Sequence, residues 1–144
     1  MMDLRERLLE LGLQGFECSQ IMMMIALELE EKENPDLIRA VSGLTGGMGH
    51  GGGTCGALTG GCCVLGLFTG KGDPEEMEDN RCHEIIRAYT TWFREQYTPQ
   101  YGGTDCAQVI GGDFSKCLTV CASILEACCG KLLDLLTEYE ILEG

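Results

Sequence analysis

The sequence predicts an all-α domain. Apolar residues recur at helical spacing through most of the chain, no segment alternates as a strand does, and no hairpin dipeptide joins two such segments. The breaks fall at glycine and proline, where helices end. The expected architecture is a single compact bundle of about six helices over residues 1–144, with a glycine-rich loop before a buried central helix. A chain of 144 residues can bury a real core in one domain, and no linker or long repeat divides this one.

The first helix is expected at Asp3–Leu13, with Leu4, Leu8, Leu9 and Leu11 at helical spacing, and Gly12 and Gly15 break it. Phe16–Glu31 forms the second, with Ile21, Met22, Met24, Ile25 and Leu29 as its apolar side. Its Met22-Met23-Met24 run reads as core, because adjacent helical residues point in different directions and do not gather into a soft-metal site. Pro35 opens a short helix through Leu37, Ile38 and Val41. Gly43–Gly53 is a loop, after which Thr54 can cap a helix to about Thr69. Residues 40–70 carry no Lys, Arg, Asp or Glu. The apolar part, 55–68, is shorter than the roughly 20 residues a membrane span needs, so it reads as a buried helix rather than an inserted one. Asp73-Pro74-Glu75-Glu76 has a cap, a first-position proline and first-turn acids, and predicts a helix from there to about Tyr97 with Ile85, Ile86, Tyr89, Trp92 and Phe93 inward. A loop at Pro99–Gly103 follows. Thr104-Asp105 starts a short helix that stops at Gly111-Gly112, and Ser115 starts a last long helix running past Gly130 toward Leu142.

Composition excludes several function classes. Acids outnumber bases 23 to 10, for a formal charge of −13. Nucleic acid and anionic membrane surfaces both require clustered Lys and Arg, so neither is an expected partner. The N-terminus has no apolar run after its charges, which makes a cytoplasmic address the expectation. In that compartment ten cysteines read as metal-binding or redox groups rather than as disulfides. No C-x-x-C is present, so neither a thioredoxin-type dithiol nor a zinc ribbon is signalled, and only His50 and His83 are available for mixed His/Cys sites.

The placement of the thiols is the strongest functional signal. Cys18 follows Gly15, Cys55 follows Thr54, Cys106 follows Thr104-Asp105, and Cys117 follows Ser115-Lys116. Each falls near an expected helix start, where free N–H groups and the helix dipole favour an anion and lower a thiol pKa. Cys121 lies one turn beyond Cys117 and shares a face with it, with Ile124 and with Cys128. Cys62, Cys63, Cys121, Cys128 and Cys129 read first as small core hydrophobes, with Cys121 the strongest of them for a ligand role, and Cys82 and His83 read as packing and a solvated side chain. The loop Gly46-Gly47-Met48-Gly49-His50-Gly51-Gly52-Gly53 fits G-x-G-x-x-G. However, no strand precedes it and no Lys-Ser/Thr follows, so a nucleotide loop is disfavoured. Gly47, Gly49, Gly53 and Gly56 are better read as letting backbone N–H groups approach a thiolate or a cofactor at Cys55. Gly56 and Gly60, four apart, would admit a close helix neighbour. A hydrolytic Cys–His site would need His50 beside Cys55.

The hexapeptide Cys55-Gly56-Ala57-Leu58-Thr59-Gly60 resembles the CGAxxG motif of the redox-active protein family named for its cysteine pattern, C_GCAxxG_C_C. Phe16-Glu17-Cys18-Ser19-Gln20 is similar to that family's first-cysteine segment, and Asp105-Cys106 with Ile110-Gly111-Gly112-Asp113-Phe114 to its third. Cys117 or Cys121, before Ile124-Leu125-Glu126, resembles its last. The resemblance implies an all-helical redox protein with four functional cysteines, and similar segments in iron–sulfur electron-transfer proteins imply a cluster. Six further cysteines depart from the pattern.

Three functions therefore stand as expectations. The first is an iron–sulfur cluster or other thiolate-bound metal on Cys18, Cys55, Cys106 and Cys117 or Cys121, used for electron transfer. The second is a metal-free thiol/disulfide oxidoreductase or redox sensor cycling two of these residues. The third is a helical binding or scaffold protein with structural cysteines, docking a redox partner protein or a membrane transporter through its acidic surface. A homodimer that shares the thiols across its interface is compatible with the first two.

Overall fold

A computed structural model describes residues 3–113, 115, 116 and 119–142. Among these, seven α-helices follow in the order α1 (Leu4–Leu13), α2 (Cys18–Leu29), α3 (Pro35–Val41), α4 (Gly56–Thr69), α5 (Cys82–Tyr101), α6 (Cys106–Ile110) and α7 (Val120–Glu138). A 3-10 turn, Ser42–Leu44, joins α3 to the glycine loop. The described residues contain no strand beyond one isolated bridge between Thr54 and Asp105. The all-α expectation therefore holds.

Local sequence explains most of the ends. Asp3 caps α1 by accepting from the Glu6 N–H at 2.8 Å, and Asn34 caps α3 by accepting from the Leu37 N–H at 3.1 Å, with Pro35 at the first position. The uncharged helix α4 is the centre of the bundle. It packs on α2, α5 and α7, while α1 covers α2 and α7, α3 covers α2, and α6 rests on α7. Val64 and Leu65 of α4, Met22 and Met23 of α2, Ile85, Tyr89 and Phe93 of α5, and Leu132 and Leu136 of α7 are buried in one core. Met22 and Met23 are thus packing residues. No helix among the described residues is long and apolar enough to cross a membrane.

The start of α5 differs from expectation. Asp73 does accept from the Glu75 N–H at 2.8 Å, and Glu76 N–H reaches the Asp73 carbonyl at 3.1 Å, so a single turn forms. It does not propagate, because 74–81 offers no apolar stripe to bury, and Met77 is 92% exposed. The helix begins instead at Cys82, after Asp79 N–H anchors to the Thr69 carbonyl at 3.0 Å. At its other end α5 runs through Pro99 to Tyr101 and stops at Gly102, which is left-handed (φ 81°). Residues 99–101, expected as loop, are helical. The last helix begins at Val120 rather than at Ser115, and it crosses Gly130 as expected but ends at Glu138.

Candidate functional site: a cavity lined by four thiols

Besides α5, which begins at Cys82, three helices carry a cysteine at their head. Cys18 is the first residue of α2, Cys106 the first of α6, and Cys55 the cap of α4. Cys121 is the second residue of α7. Two of these starts have the same local design, an acid, a cysteine and then a glutamine two residues on. Gln20 accepts from the Glu17 N–H and Gln108 from the Asp105 N–H, each at 3.2 Å. Each glutamine folds back on its own helix start and leaves the cysteine at the head of the helix.

Backbone pairing then brings two starts together. Cys55 N–H donates to the Thr104 carbonyl at 2.9 Å, Cys106 N–H to Gly53 at 2.6 Å, and Ala107 N–H to Gly52 at 3.2 Å. The end of the glycine loop thus lies alongside 104–107 and places Cys55 and Cys106 as neighbours. Close helix packing brings in the third thiol. A β-carbon on Gly56 would fall well under 3.0 Å from Cys18 Sγ, and one on Gly60 would fall 2.8 Å from Ser19 Cα, so the two glycines let α2 lie against α4. The expected close approach at Gly56 and Gly60 is found, with α2 as the neighbour.

The result is a cavity of about 220 Å³ with Cys18, Cys55, Cys106 and Cys121 all in its wall. Leu8, Leu9, Phe16, Val109, Ile124 and Leu125 supply apolar lining, and Gly46 and Gly56 supply backbone. Gly47, Gly49 and Gly53 are not in the wall. Gly53 instead holds Cys106 in register through its carbonyl, and Gly47 ties the loop by accepting from the Gly53 N–H at 3.1 Å. Cys117 lies outside the described residues. Cys62 and Cys63 are half-buried elsewhere on α4, and Cys128 and Cys129 are buried in the core. Tyr89 donates to the Ala57 carbonyl at 2.8 Å, which fixes α5 to the first turn of α4.

His50 and Glu17 also line the cavity, their side chains about half exposed. His50 Nε2 lies 2.7 Å from Glu17 Oε1. Met48 and His50 both adopt left-handed backbone (φ 69° and 58°), a conformation that costs a non-glycine residue roughly 1–2 kcal/mol. The loop holds His50 there through its N–H on the Thr45 carbonyl at 3.1 Å. The imidazole that a hydrolytic reading would set beside Cys55 is therefore engaged by the residue preceding Cys18.

The electrostatics correct one expectation. A helix start was expected to lower the thiol pKa, yet Cys55 is pushed up to about 11. Burial is the main cause, and the neighbouring Cys18 and Cys106 add to it. The Ala57 and Leu58 N–H groups act in the opposite direction, although neither makes a well-formed cap hydrogen bond to the sulfur. Desolvation of a thiolate that is 7% exposed outweighs the helix end. Below pH 9 the metal-free protein should hold Cys55 as a neutral thiol. Thiolate absorbance near 240 nm, compared between parent and Cys55→Ser, should differ by a step that rises only above about pH 10. A difference step below pH 8 would restore the low-pKa reading.

One arrangement was not anticipated. Glu78, Cys82 and His83 offer a carboxylate, a thiol and an imidazole nitrogen that all lie within 4.8 Å of one another, and His83 Nε2 is 3.1 Å from Glu78 Oε1. The sequence reading took Cys82 as packing and His83 as solvated. The Glu-x3-Cys-His spacing was visible, but the turn that folds Glu78 back was hidden by the helix expected at 73–81.

A family model described as "Putative redox-active protein (C_GCAxxG_C_C)" matches residues 16–135. No curated protein and no solved structure matches the chain.

Proposed function

The chain belongs to the C_GCAxxG_C_C redox-active family, and from that premise we propose that Cys18, Cys55, Cys106 and Cys121 together hold a thiolate-bound metal centre, an iron–sulfur cluster, used to accept and pass on electrons. The observation that carries this reading is the convergence of four thiols, from the first turns of four helices, on one cavity. Thiolate sulfur suits iron–sulfur clusters, zinc and copper(I). Four thiols without a carboxylate or imidazole among the proposed ligands are the donor set of a cluster. The cavity, at about 220 Å³, is also several times the roughly 30 Å³ share of one water and has room for more than one ion.

When bound, such a cluster supplies reversible one-electron transfer. The chain's own residues do the rest. Leu8, Phe16, Ile124 and Leu125 make much of the wall apolar, which strengthens the local electrostatic contacts of the buried Cys55 and Cys106. The helix starts at Cys18, Cys55 and Cys121 direct positive dipole ends at an anionic group, which offsets locally the cost of placing it in a chain of charge −13. Cys55 must lose a proton to bind metal, so loading releases protons and is favoured by rising pH. The same high pKa speaks against a metal-free dithiol mechanism in which Cys55 is the attacking thiolate.

Metal and acid-labile sulfide analysis, with a visible spectrum, tests the proposal on protein purified without oxygen. Iron and sulfide in comparable amounts are expected. Protein free of both, even after anaerobic reconstitution, would overturn the cluster and favour dithiol chemistry.

A further inference from the structure

Outside the cavity, three different metal-ligating groups meet at the N-terminus of α5. We propose that Glu78, Cys82 and His83 form a second metal site that takes one divalent first-row ion, zinc(II) foremost. None of the three lines the four-thiol cavity, so the site stands apart from the family's cysteine pattern.

The donor set suits zinc, which accepts thiolate, imidazole and carboxylate in tetrahedral sites. The geometry is already close to what the ion needs. A nitrogen and an oxygen on one tetrahedral zinc, each about 2.0–2.2 Å from it, lie roughly 3.4 Å apart. His83 Nε2 and Glu78 Oε1 lie at 3.1 Å. The thiol lies within 4.8 Å of both, and a rotamer adjustment of about 1 Å would bring it to the roughly 3.6 Å that a shared zinc requires.

The backbone that carries the donors is held by bonds independent of any ion. Asp79 N–H is fixed to Thr69 at the end of α4, and Cys82 N–H closes a turn on the Asp79 carbonyl at 3.0 Å. Arg81 clamps Asp79 at 3.0–3.1 Å and also donates to the Tyr139 carbonyl beyond α7. The end of α4 and the residue after α7 therefore brace the loop that brings Glu78 back over Cys82. On binding, the Cys82 thiol gives its proton to solvent and its sulfur takes the metal, while His83 binds as the neutral imidazole. Three protein ligands leave a fourth position for water or for a donor from another molecule.

The test is a zinc titration of the reduced, metal-free full-length protein against a chromophoric chelator, repeated with cobalt(II) for its thiolate charge-transfer band. His83→Ala and Glu78→Gln alter exposed side chains, so folding is preserved. Each should weaken one zinc equivalent at least tenfold. Cys82→Ser should remove the cobalt–thiolate band of that equivalent, and Cys55→Ser should leave it in place. Zinc affinity within twofold of the parent in both His83→Ala and Glu78→Gln would overturn the proposal. So would loss of the equivalent in Cys55→Ser with its retention in His83→Ala, which would assign it to the cavity. Because the site shares no residue with the cavity, an absence of iron and sulfide there leaves this result unchanged.

Discussion

Cys55→Ser should retain less than a tenth of the parent's iron and acid-labile sulfide after anaerobic purification. Cys18→Ser, Cys106→Ser and Cys121→Ser should each cause a loss of the same kind, whereas Cys82→Ser should hold iron at the parent level. The asymmetry follows from position. The first four line one cavity, while Cys82 is buried at the start of α5, behind a turn anchored to the end of α4. Serine is nearly isosteric with cysteine, and its hydroxyl is a far poorer ligand for iron than a thiolate. The variants therefore test ligation rather than packing, and far-UV circular dichroism of each should match the parent. Cys55 should be the most sensitive, because it is central. Its backbone pairs with the strand-like stretch before Cys106, and Cys18 lies against the next residue, Gly56. Equal loss from Cys55→Ser and Cys82→Ser would sink the assignment of the cavity. Retention of iron in Cys121→Ser together with its loss in Cys117→Ser would move the fourth position to Cys117.

Much of this arrangement was legible in the sequence because it is local. The start at Thr104-Asp105, the proline at the head of α3 and the uncharged run of α4 all act within a few residues, although the cap of α4 is Cys55 rather than the expected Thr54. Each gave an element close to where it is found. The cysteines at helix starts were readable for the same reason. The misplaced start of α5 shows the limit of such signals. Asp73-Pro74-Glu75-Glu76 does nucleate a turn, but a cap cannot sustain a helix with nothing apolar to bury beyond it. Three further features depend on the tertiary fold. The pairing of 52–54 with 104–107 joins segments about 50 residues apart. The high pKa of Cys55 is set by how much of the cavity wall covers it. The approach of Glu78 to His83 depends on Thr69 and Tyr139, neither of which is near it in sequence. A sequence motif reports which groups are present at helix starts, and only packing decides whether they are thiolates or thiols.

Gly60→Ala and Gly56→Ala should fail in opposite ways, although both lie in the same hexapeptide. A β-carbon on Gly60 meets the backbone of α2 at 2.8 Å from Ser19 Cα and 3.0 Å from Ser19 Cβ. Ser19 is fully buried and tied by its hydroxyl to the Val41 carbonyl at 2.8 Å, so α2 cannot retreat without loosening α3 as well. Overpacking at such a contact costs up to about 3 kcal/mol, and the gain in helix propensity over glycine returns about 1 kcal/mol. The net loss of about 2 kcal/mol should lower Tm by about 6–7 °C at this chain length. On Gly56 the added carbon meets chiefly the Cys18 sulfur, a side-chain atom, and lies 3.3 Å from the Leu44 carbonyl oxygen. A side chain can change rotamer where the backbone of α2 at Ser19 cannot shift, so Tm should fall less than in Gly60→Ala, while one wall of the cavity loses its donor and iron retention falls as it does in Cys18→Ser. Gly66→Ala, on the same helix with nothing within 4 Å of the new carbon, serves as the control and should raise Tm slightly. Thermal melts and iron content on the three variants separate the roles. A Gly56→Ala protein that keeps its iron would mean that the cavity does not need Cys18 where it now lies. A Gly60→Ala protein as stable as Gly66→Ala would mean that α2 is free to move off α4.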